Sequence, residues 1–378
     1  STQSRSSAAS DVYKRQVQSQ KIVLVINSLQ GGGAEKFVLT LGEAFYQMGF
    51  EVHIVRFEPI VEHTLSENLI YHLIPFRNYR RLPKGKIRHF FFARAVDGYI
   101  NKHIGQPVAI FVNLYREHEV FYYSRQKKVA YVIHNQLSEK LKLATLPPNQ
   151  LCHFQRIYTK YPAICVSGGV EQDFVRQFGE PTKTTTIYNP IDRDNIRVLA
   201  EAANPDLPAI TRQGYLIHVG SFKAQKGHEI LLQAYANSAQ TLPLVLVGKG
   251  NLQAQIEQNI IALNLQDKVI LTGFQKNPYP LLKHATGFVL SSHFEGFALV
   301  LAESLALGVP AISTDCPSGP SEILPPQNLV AVADIPALTE KINLLMSHPS
   351  QFNVPFNEAF LPQNVARQYL TFMGVGFE

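Results

Sequence analysis

A short apolar run followed at once by an amphipathic helical segment constrains this chain more than any other feature. Residues 287–290, Gly-Phe-Val-Leu, have the composition of a buried parallel strand, and apolar residues recur at helical spacing after Gly296 until Gly308 and Pro310 end the pattern. A second apolar run, residues 309–314, follows. This order predicts a doubly wound α/β sheet, which binds its ligands at the carboxyl edge.

Two carboxylates belong to this segment. Glu295 lies at the predicted strand-to-helix junction, and Glu303 lies about two helical turns further on, so both can face one cleft. Two acids in different surroundings indicate two roles. The alternative is that Glu295 stabilises the helix through its dipole and that Glu303 is a solvated helical acid.

A further loop, Asp-Cys-Pro-Ser-Gly-Pro-Ser-Glu over residues 315–322, follows the second apolar run. Gly319 and Pro320 suit the start of another helix, because proline is favoured at the first helical position. Free backbone N–H groups there would point toward the cleft, which predicts an anion site.

Together these residues resemble the retaining glycosyltransferases of family 4, which have the two-domain GT-B fold. The signature is a Glu, seven residues and a second Glu, here Glu295 and Glu303, within Glu-Gly-Phe, Glu-Ser-Leu-Ala and Gly-Val-Pro. The run Ser-Thr-Asp-Cys-Pro-Ser-Gly-Pro-Ser-Glu-Ile-Leu is most similar to bacterial members that transfer N-acetylhexosamine or hexose units to polyprenyl-diphosphate-linked oligosaccharide, capsule or lipopolysaccharide glycans. The resemblance covers most of the chain.

The resemblance implies two Rossmann-like α/β domains facing a central cleft. We expect an acceptor-side domain over residues 21–190, a nucleotide-sugar-binding domain over 191–360, and a helix over 361–378 that crosses back to the first domain. Pro190 restricts the residue before it to extended geometry and suits a stiff crossing point. Residues 1–20 have no periodicity and are predicted to be either a disordered leader or a remnant of expression or sequencing that does not belong to the fold.

Composition agrees with a two-domain globular protein. The 378 residues exceed the size at which one hydrophobic core keeps growing, and they are 46% hydrophobic and 17% charged. The sequence shows neither a membrane-spanning apolar run nor a signal peptide, which predicts a cytoplasmic protein. A net charge of +6 is too mild to indicate nucleic-acid binding, and three cysteines do not suggest a disulfide framework.

In the first domain the glycine run after the first strand and a histidine after a later strand are site candidates. Glycines let a backbone approach a ligand closely, although a tight packing turn explains them equally well. The resemblance places Gly32 and Gly33 over the donor phosphates and near the acceptor. It also raises His134, otherwise a hydrogen-bonded structural residue, to a contact of the transferred sugar.

In the second domain a lysine between a strand and a helix supplies a mobile positive charge for diphosphate oxygens. The family pattern has a Gly-Arg pair and a Lys-Gly pair here; Lys226 and Gly227 match the second pair. Ser221 stands at the arginine position, and Lys223 is the candidate replacement. Phe274 corresponds to the part of the family that borders the base.

The resemblance therefore implies a residue set for transfer from a nucleoside-diphosphate sugar, with UDP favoured and no metal or other cofactor required. Glu295 would contact the donor sugar hydroxyls and Glu303 the ribose hydroxyls, while the departing phosphate helps to deprotonate the acceptor. The catalytic set is Glu295, Lys226 and His134, and the substrate-binding set is Glu303, Gly32, Gly33, Lys223, Phe274, Gly296, Phe297, Ala298, Leu299, Ser318 and Gly319. The triplet of Asp192, Arg193 and Asp194, which would hold a metal in another glycosyltransferase class, is a chance match in a predicted linker.

Residues 77–94 carry bases without any acid, interleaved with aromatic residues. Such a segment suits anionic lipid headgroups or a diphosphate, and it predicts peripheral binding at the cytoplasmic face of the inner membrane. The alternative is a solvated loop with core phenylalanines. The bases are Arg77, Arg80, Arg81, Lys84, Lys86, Arg88 and Arg94, and the aromatic residues include Tyr79, Phe90, Phe91 and Phe92.

Two other functional classes fit the same sequence. A sugar-nucleotide epimerase would bind the same donor without an acceptor surface. A non-catalytic nucleotide-sugar-binding subunit is consistent with serine at position 221 in place of arginine.

Overall fold

The computed structural model describes most of the chain. The described residues are 20–79, 81–83, 85–179, 183–203 and 207–377. The predicted leader, residues 1–20, lies outside this range except for Gln20, and so do Arg80 and Lys84 of the basic segment.

Backbone contacts divide the chain into two compact units. One contains the described residues up to Tyr131 together with those from Ala366 onward, and the other contains Val132–Val365. The domain boundary at residue 190 stays a prediction.

The first sheet has the strand order β3-β2-β1-β4-β5-β6-β7, with β1 paired parallel to β2 and β4, and β6 parallel to β7. Its central strands are continuous apolar runs because both faces of a parallel sheet are covered by helices. The strands are β1 (Lys21–Ile26), β2 (Glu51–Arg56), β3 (Ile70–Leu73), β4 (Ala109–Asn113), β5 (Val129–Ile133), β6 (Ala163–Cys165) and β7 (Thr184–Thr186).

The second sheet has the order β10-β9-β8-β11-β12-β13, and its strand pairs are parallel. Leu216, Leu244 and Leu246 of this sheet pack with Leu231 and Leu338 of the covering helices in one buried cluster. The strands are β8 (Leu216–Val219), β9 (Leu244–Val247), β10 (Val269–Gly273), β11 (Gly287–Leu290), β12 (Ala311–Thr314) and β13 (Leu329–Val330).

Helices alternate with the strands along the chain. They are α1 (Gly33–Gln47), α2 (Lys86–Tyr99), α3 (Tyr115–Phe121), α4 (Leu137–Leu141), α5 (Pro148–Tyr158), α6 (Gly168–Phe178), α7 (Arg193–Ala200), α8 (His228–Ala236), α9 (Gln253–Ala262), α10 (Tyr279–Lys283), α11 (Leu299–Ala306), α12 (Pro320–Ile323), α13 (Ile335–Ser347) and α14 (Pro362–Met373). Within the described part of the chain, none of them has the length and apolarity needed to cross a membrane.

Two parallel sheets with alternating helices confirm the predicted fold class. The strand predicted over residues 287–290 is β11, and the apolar run 309–314 contains β12. On α14, the buried Tyr369 packs against Phe37 and, edge to face, against Phe111 of the unit that holds β1. The last turns of the chain thereby belong to the core of that unit.

Candidate active site

A buried ion pair lies at the carboxyl edge of the second sheet. The loop after β11 carries Glu295 and the turn after β8 carries Lys226, and Lys226 Nζ lies 2.7 Å from Glu295 Oε1. Ser292 Oγ donates a second hydrogen bond, of 2.6 Å, to the same oxygen. The two charged side chains are 17% and 8% exposed. Among the described residues, none donates a hydrogen bond to Glu295 Oε2, which leaves that oxygen available to a ligand hydroxyl.

Backbone and side-chain bonds fix the Lys226 turn against the Glu295 loop. The amide of His293 donates to Gln225 O at 2.8 Å, and Gln225 Nε2 donates to Phe294 O at 2.8 Å. Gly227 has φ +60°, and a Cβ atom there would lie 2.1 Å from Ser291 O. The close approach of the loop therefore requires glycine beside Lys226.

Two buried histidines pack beneath this turn. The rings of His218 and His228 lie 4.8 Å apart, and both side chains are almost fully inaccessible. Burial lowers the pKa of His228 to about 4, and burial, followed by the proximity of His228 and then of Lys226, holds the pKa of His218 well below its usual value. Both rings are neutral at pH 7, so the lysines supply the positive charge of this turn.

Backbone contact brings His134 and Gly296 together. A Cβ atom on Gly296 would lie 1.9 Å from His134 O, so only glycine permits this approach. Ser167 Oγ donates a 2.6 Å hydrogen bond to Gly296 O. Two residues predicted for the site from separate motifs are thus neighbours, through the carbonyl of His134.

The loop after β12 runs beside the Glu295 loop. The Glu295 amide donates to Pro317 O at 3.4 Å. Ser318 and Gly319 have φ of +69° and +98°, and a Cβ on Gly319 would lie 2.8 Å from the Phe297 backbone. Ser318 Oγ is buried and has no hydrogen-bond partner among the described residues.

The other predicted residues of this segment are part of the packing around α11. Phe297 is 2% exposed and packs against Tyr188 in a tilted arrangement and against Phe360 edge to face, at ring distances of 5.6 and 5.1 Å. Ala298 has φ +61° and precedes α11, which begins at Leu299. Glu303 lies on α11 and is 4% exposed, so it is not the solvated acid of the alternative interpretation.

Lys223 and Phe274 lie at the surface of the same unit. Lys223 is exposed, and its backbone amide donates a 2.8 Å hydrogen bond to Ser221 O within the turn. Phe274, directly after β10, is 46% exposed, and Lys249 Nζ lies 4.3 Å from its ring centroid. An exposed aromatic face beside an ammonium group is a suitable surface for stacking.

The glycine loop of the other unit carries carboxylates. Gly32 precedes α1 and Gly33 begins it. A Cβ on Gly32 would lie 2.3 Å from Glu35 Oε2, and the amide of Gly31 donates to Glu62 Oε2 at 3.0 Å. This loop therefore already holds an internal anion at one of its amides.

The aspartate triplet has a local structural role. Asp192 Oδ1 accepts a 3.1 Å hydrogen bond from the amide of Asn195 and caps α7. Asp194 lies 3.4 Å from the guanidinium of Arg193. Within the described ranges, His, Cys, Asp and Glu form no group of three or more that could hold a metal ion.

Three residues of the site were not among those predicted from the sequence. Ser292 and Gln225 hold the ion pair and its turn, and Glu322 binds two amides of α6. The spacing of Ser292 three residues before Glu295 resembles a capping box and could have indicated their contact. Nothing local distinguishes Gln225 or Glu322, because their partners are distant in sequence.

The two parallel α/β sheets, with a lysine–glutamate pair at the carboxyl edge of the second, have the architecture of the GT-B glycosyltransferases. The chain belongs to glycosyltransferase family 4. The family model "Glycosyltransferase Family 4" matches residues 31–195, and "Glycosyl transferases group 1" matches residues 201–359. The chain is 30% identical over 318 residues to N-acetylgalactosamine-N,N'-diacetylbacillosaminyl-diphospho-undecaprenol 4-alpha-N-acetylgalactosaminyltransferase of Campylobacter jejuni, covering 80% of this chain and 83% of the relative.

Two further comparisons agree with this assignment. The lipopolysaccharide 1,6-galactosyltransferase of Escherichia coli is 27% identical over 169 residues, which are 43% of this chain and 45% of the relative. The crystal structure of Anabaena HepE in complex with UDP and glucose superposes with a TM-score of 0.70 at 18% identity, covering 94% of this chain and 97% of HepE. At that identity the structural match concerns the fold.

Proposed function

We propose that this glycosyltransferase moves a hexose or N-acetylhexosamine from a UDP-sugar, with retention of configuration, to a lipid-linked or lipopolysaccharide glycan. The observation that carries the proposal is the buried pair of Lys226 and Glu295, at the sheet edge where α/β folds bind ligands. Relatives whose names specify an undecaprenyl-diphosphate acceptor and a lipopolysaccharide product support the acceptor class.

The chemistry follows from the charges at the site. Breaking the glycosyl–phosphate bond develops negative charge on the leaving diphosphate, and in this proposal Lys226, Lys223 and the amides near Ser318 stabilise that charge. Glu295 Oε2 is available to accept a hydrogen bond from a sugar hydroxyl while Oε1 holds Lys226. The departing phosphate oxygen takes the acceptor proton, so this scheme requires no further base.

The assignments of Glu303 to the ribose hydroxyls and of Phe274 to the base belong to the same proposal. Burial of Glu303 suits a carboxylate that holds one fixed ligand group, and the exposed ring of Phe274 suits a planar base. His134, Gly32 and Gly33 remain proposed contacts of the sugar and the phosphates.

Membrane docking through α2 completes the proposal, because a polyprenyl-linked acceptor is confined to a bilayer surface. Ile87, Phe90 and Phe91 lie on one helical face and are 51%, 41% and 51% exposed. Lys86 and Arg81 are exposed nearby. Exposed apolar side chains beside bases fit an anionic membrane in particular.

The test is turnover of purified protein with UDP-hexoses and UDP-N-acetylhexosamines, with and without an undecaprenyl-diphosphate-linked oligosaccharide. We expect UDP release to depend on the acceptor, and NMR of the product to show the donor's anomeric configuration. Conversion of the sugar nucleotide without acceptor would instead indicate an epimerase. Binding of UDP without turnover of any donor would indicate a non-catalytic subunit.

A further inference from the structure

The turn at Ser318 and Gly319 adopts a backbone that serine does not favour. Both residues have positive φ, and left-handed geometry is unfavourable for a residue other than glycine because its Cβ atom approaches the following carbonyl oxygen. Such a conformation persists only where the surroundings over-determine it. The helix that follows, α12, has only four residues and cannot hold the turn by itself.

The surroundings that fix this turn come from the first turn of α6. Glu322 Oε2 accepts a 2.7 Å hydrogen bond from the amide of Gly168, and Oε1 accepts a 3.0 Å bond from the amide of Gly169. Gly169 also packs on the turn itself, because a Cβ there would lie 2.7 Å from Ser318 Oγ and 2.8 Å from Ser318 Cα.

Glu322 thereby acts as an internal anion at the amino end of an eleven-residue helix. Ser167 Oγ accepts from the amide of Val170, so the first amides of α6 are all engaged from within the chain. A carboxylate on two helix-terminal amides forms charge-assisted bonds that the helix dipole strengthens. Burial first, and the Glu322 carboxylate second, raise the pKa of Tyr188, which places this ring beside the same contact.

We propose that Glu322 is a positioning residue that clamps the Ser318–Gly319 turn onto α6 and so presets the donor site beside Glu295. The inference rests on the proposed function, in which this turn borders the diphosphate. Glu322 touches no substrate; its effect passes through the turn, whose Pro317 carbonyl holds the Glu295 amide.

The test compares Glu322→Gln and Gly169→Ala with the wild type, by calorimetry with UDP and by steady-state kinetics with donor and acceptor. Glutamine keeps the size of the side chain but replaces one carboxylate oxygen by an NH2 group, which cannot accept a hydrogen bond from the amide of Gly168 or Gly169. Alanine at position 169 leaves Glu322 intact and forces Ser318 away. We expect both variants to bind UDP about tenfold more weakly and to raise the donor KM by a similar factor, while the acceptor KM changes less.

Matched controls separate positioning from general stability. Glu340→Gln removes an exposed helical carboxylate, and Gly98→Ala adds a Cβ that meets nothing within 4 Å, so both should leave UDP affinity unchanged. Lowered thermal stability of Glu322→Gln and Gly169→Ala with unchanged UDP affinity and donor KM would overturn the inference and leave the proposed function intact. A wild type that binds no nucleoside diphosphate would overturn both.

Discussion

Lys226 is already neutralised before any ligand arrives, since its ammonium group pairs with Glu295. In the proposed function, a diphosphate shares Lys226 with Glu295 or displaces it, and either event couples diphosphate binding to the orientation of the Glu295 carboxylate. Removing one partner alone leaves the other charge buried and unpaired, which is strongly destabilising. Neutral isosteric substitutions are consequently the sharper tools at this site.

The division of roles between the two acids gives the first prediction. Glu303→Gln should weaken UDP affinity by roughly 1–3 kcal/mol, because a charge-assisted bond to the ribose is lost. Glu295→Gln should lower kcat and leave UDP affinity nearly unchanged. Calorimetry with UDP and steady-state kinetics measure both effects, with Glu340→Gln as the control. Equal losses of UDP affinity in the two variants would contradict the assignment.

Glu117 on α3 is a second unusual acid, in the unit that carries β1. Its side chain is buried, and among the described residues neither carboxyl oxygen has a hydrogen-bond partner. Burial raises the pKa of Glu117 to about 8, with the charge of Glu35 contributing in the same direction. The group is therefore a neutral carboxylic acid at pH 7 in the folded protein and a carboxylate in the unfolded chain.

This difference makes stability depend on pH. Because the pKa is higher in the folded state, the folded protein binds the extra proton, and the free energy of unfolding should fall between the unfolded pKa of about 4.5 and the folded pKa of about 8. The slope approaches ~1.4 kcal/mol per pH unit for this group. Glu117→Gln should remove this pH dependence. In urea unfolding, the free energy of unfolding of the variant relative to that of the wild type should therefore increase from pH 5 to pH 8. A constant difference across that range would show that Glu117 does not titrate as described.

At the scale of elements, α2 divides the basic segment into structural and exposed parts. Phe92 is fully buried against Phe57, Phe76 and Tyr79, so of the three consecutive phenylalanines of the basic segment only Phe90 and Phe91 are exposed. Arg94 is also engaged, with its guanidinium 3.2 Å from Asp97. The surface left for a membrane is the face that presents Ile87, Phe90 and Phe91, together with exposed bases.

Substitution of this face tests the docking proposal. Ile87→Ser with Phe91→Ser should reduce sedimentation with anionic liposomes at all salt concentrations, because apolar insertion is not screened. Arg81→Gln with Lys86→Gln should reduce it mainly at low salt, where the Debye length exceeds ~10 Å. Ile261→Ser, at a 60% exposed apolar position on α9, is the matched control. Unchanged sedimentation of both double variants would exclude α2 as the docking surface.

For the whole molecule, the assignment of phosphate charge to lysine and backbone donors predicts activity without a divalent metal. EDTA should leave turnover largely unchanged, whereas Lys226→Ala should lower it on the order of 100-fold. Thermal unfolding of the variant must be measured alongside, since Glu295 then loses its partner. Complete inhibition by EDTA that magnesium or manganese reverses would contradict this prediction. It would indicate instead that a metal ion held by Asp192 and Asp194 stabilises the phosphate charge.

The repeated strand–helix units and most strand positions could be predicted from the sequence, because continuous apolar runs and the glycines that end helices are local signals. The sequence also selected Glu295 and Gly296 through the motif-rich stretch after residue 287, and Lys226 through the Lys-Gly pair at positions 226 and 227. The short, half-exposed strand β3 and the helix α2 escaped it. Their apolar periodicity is weak, and α2 depends on the packing of Phe92 and on the bond from Arg94 to Asp97.

The contacts between the site residues could be seen only in the tertiary structure. Three contacts hold the site together: Lys226 pairs with Glu295, the His134 carbonyl approaches Gly296, and Glu322 accepts hydrogen bonds from two amides of α6. Each contact joins residues between 69 and 162 positions apart in the sequence. Each contact depends on which strand ends are neighbours in a sheet, and sequence spacing carries no such information. Residue types were therefore predictable from the sequence, whereas their partners were set by topology.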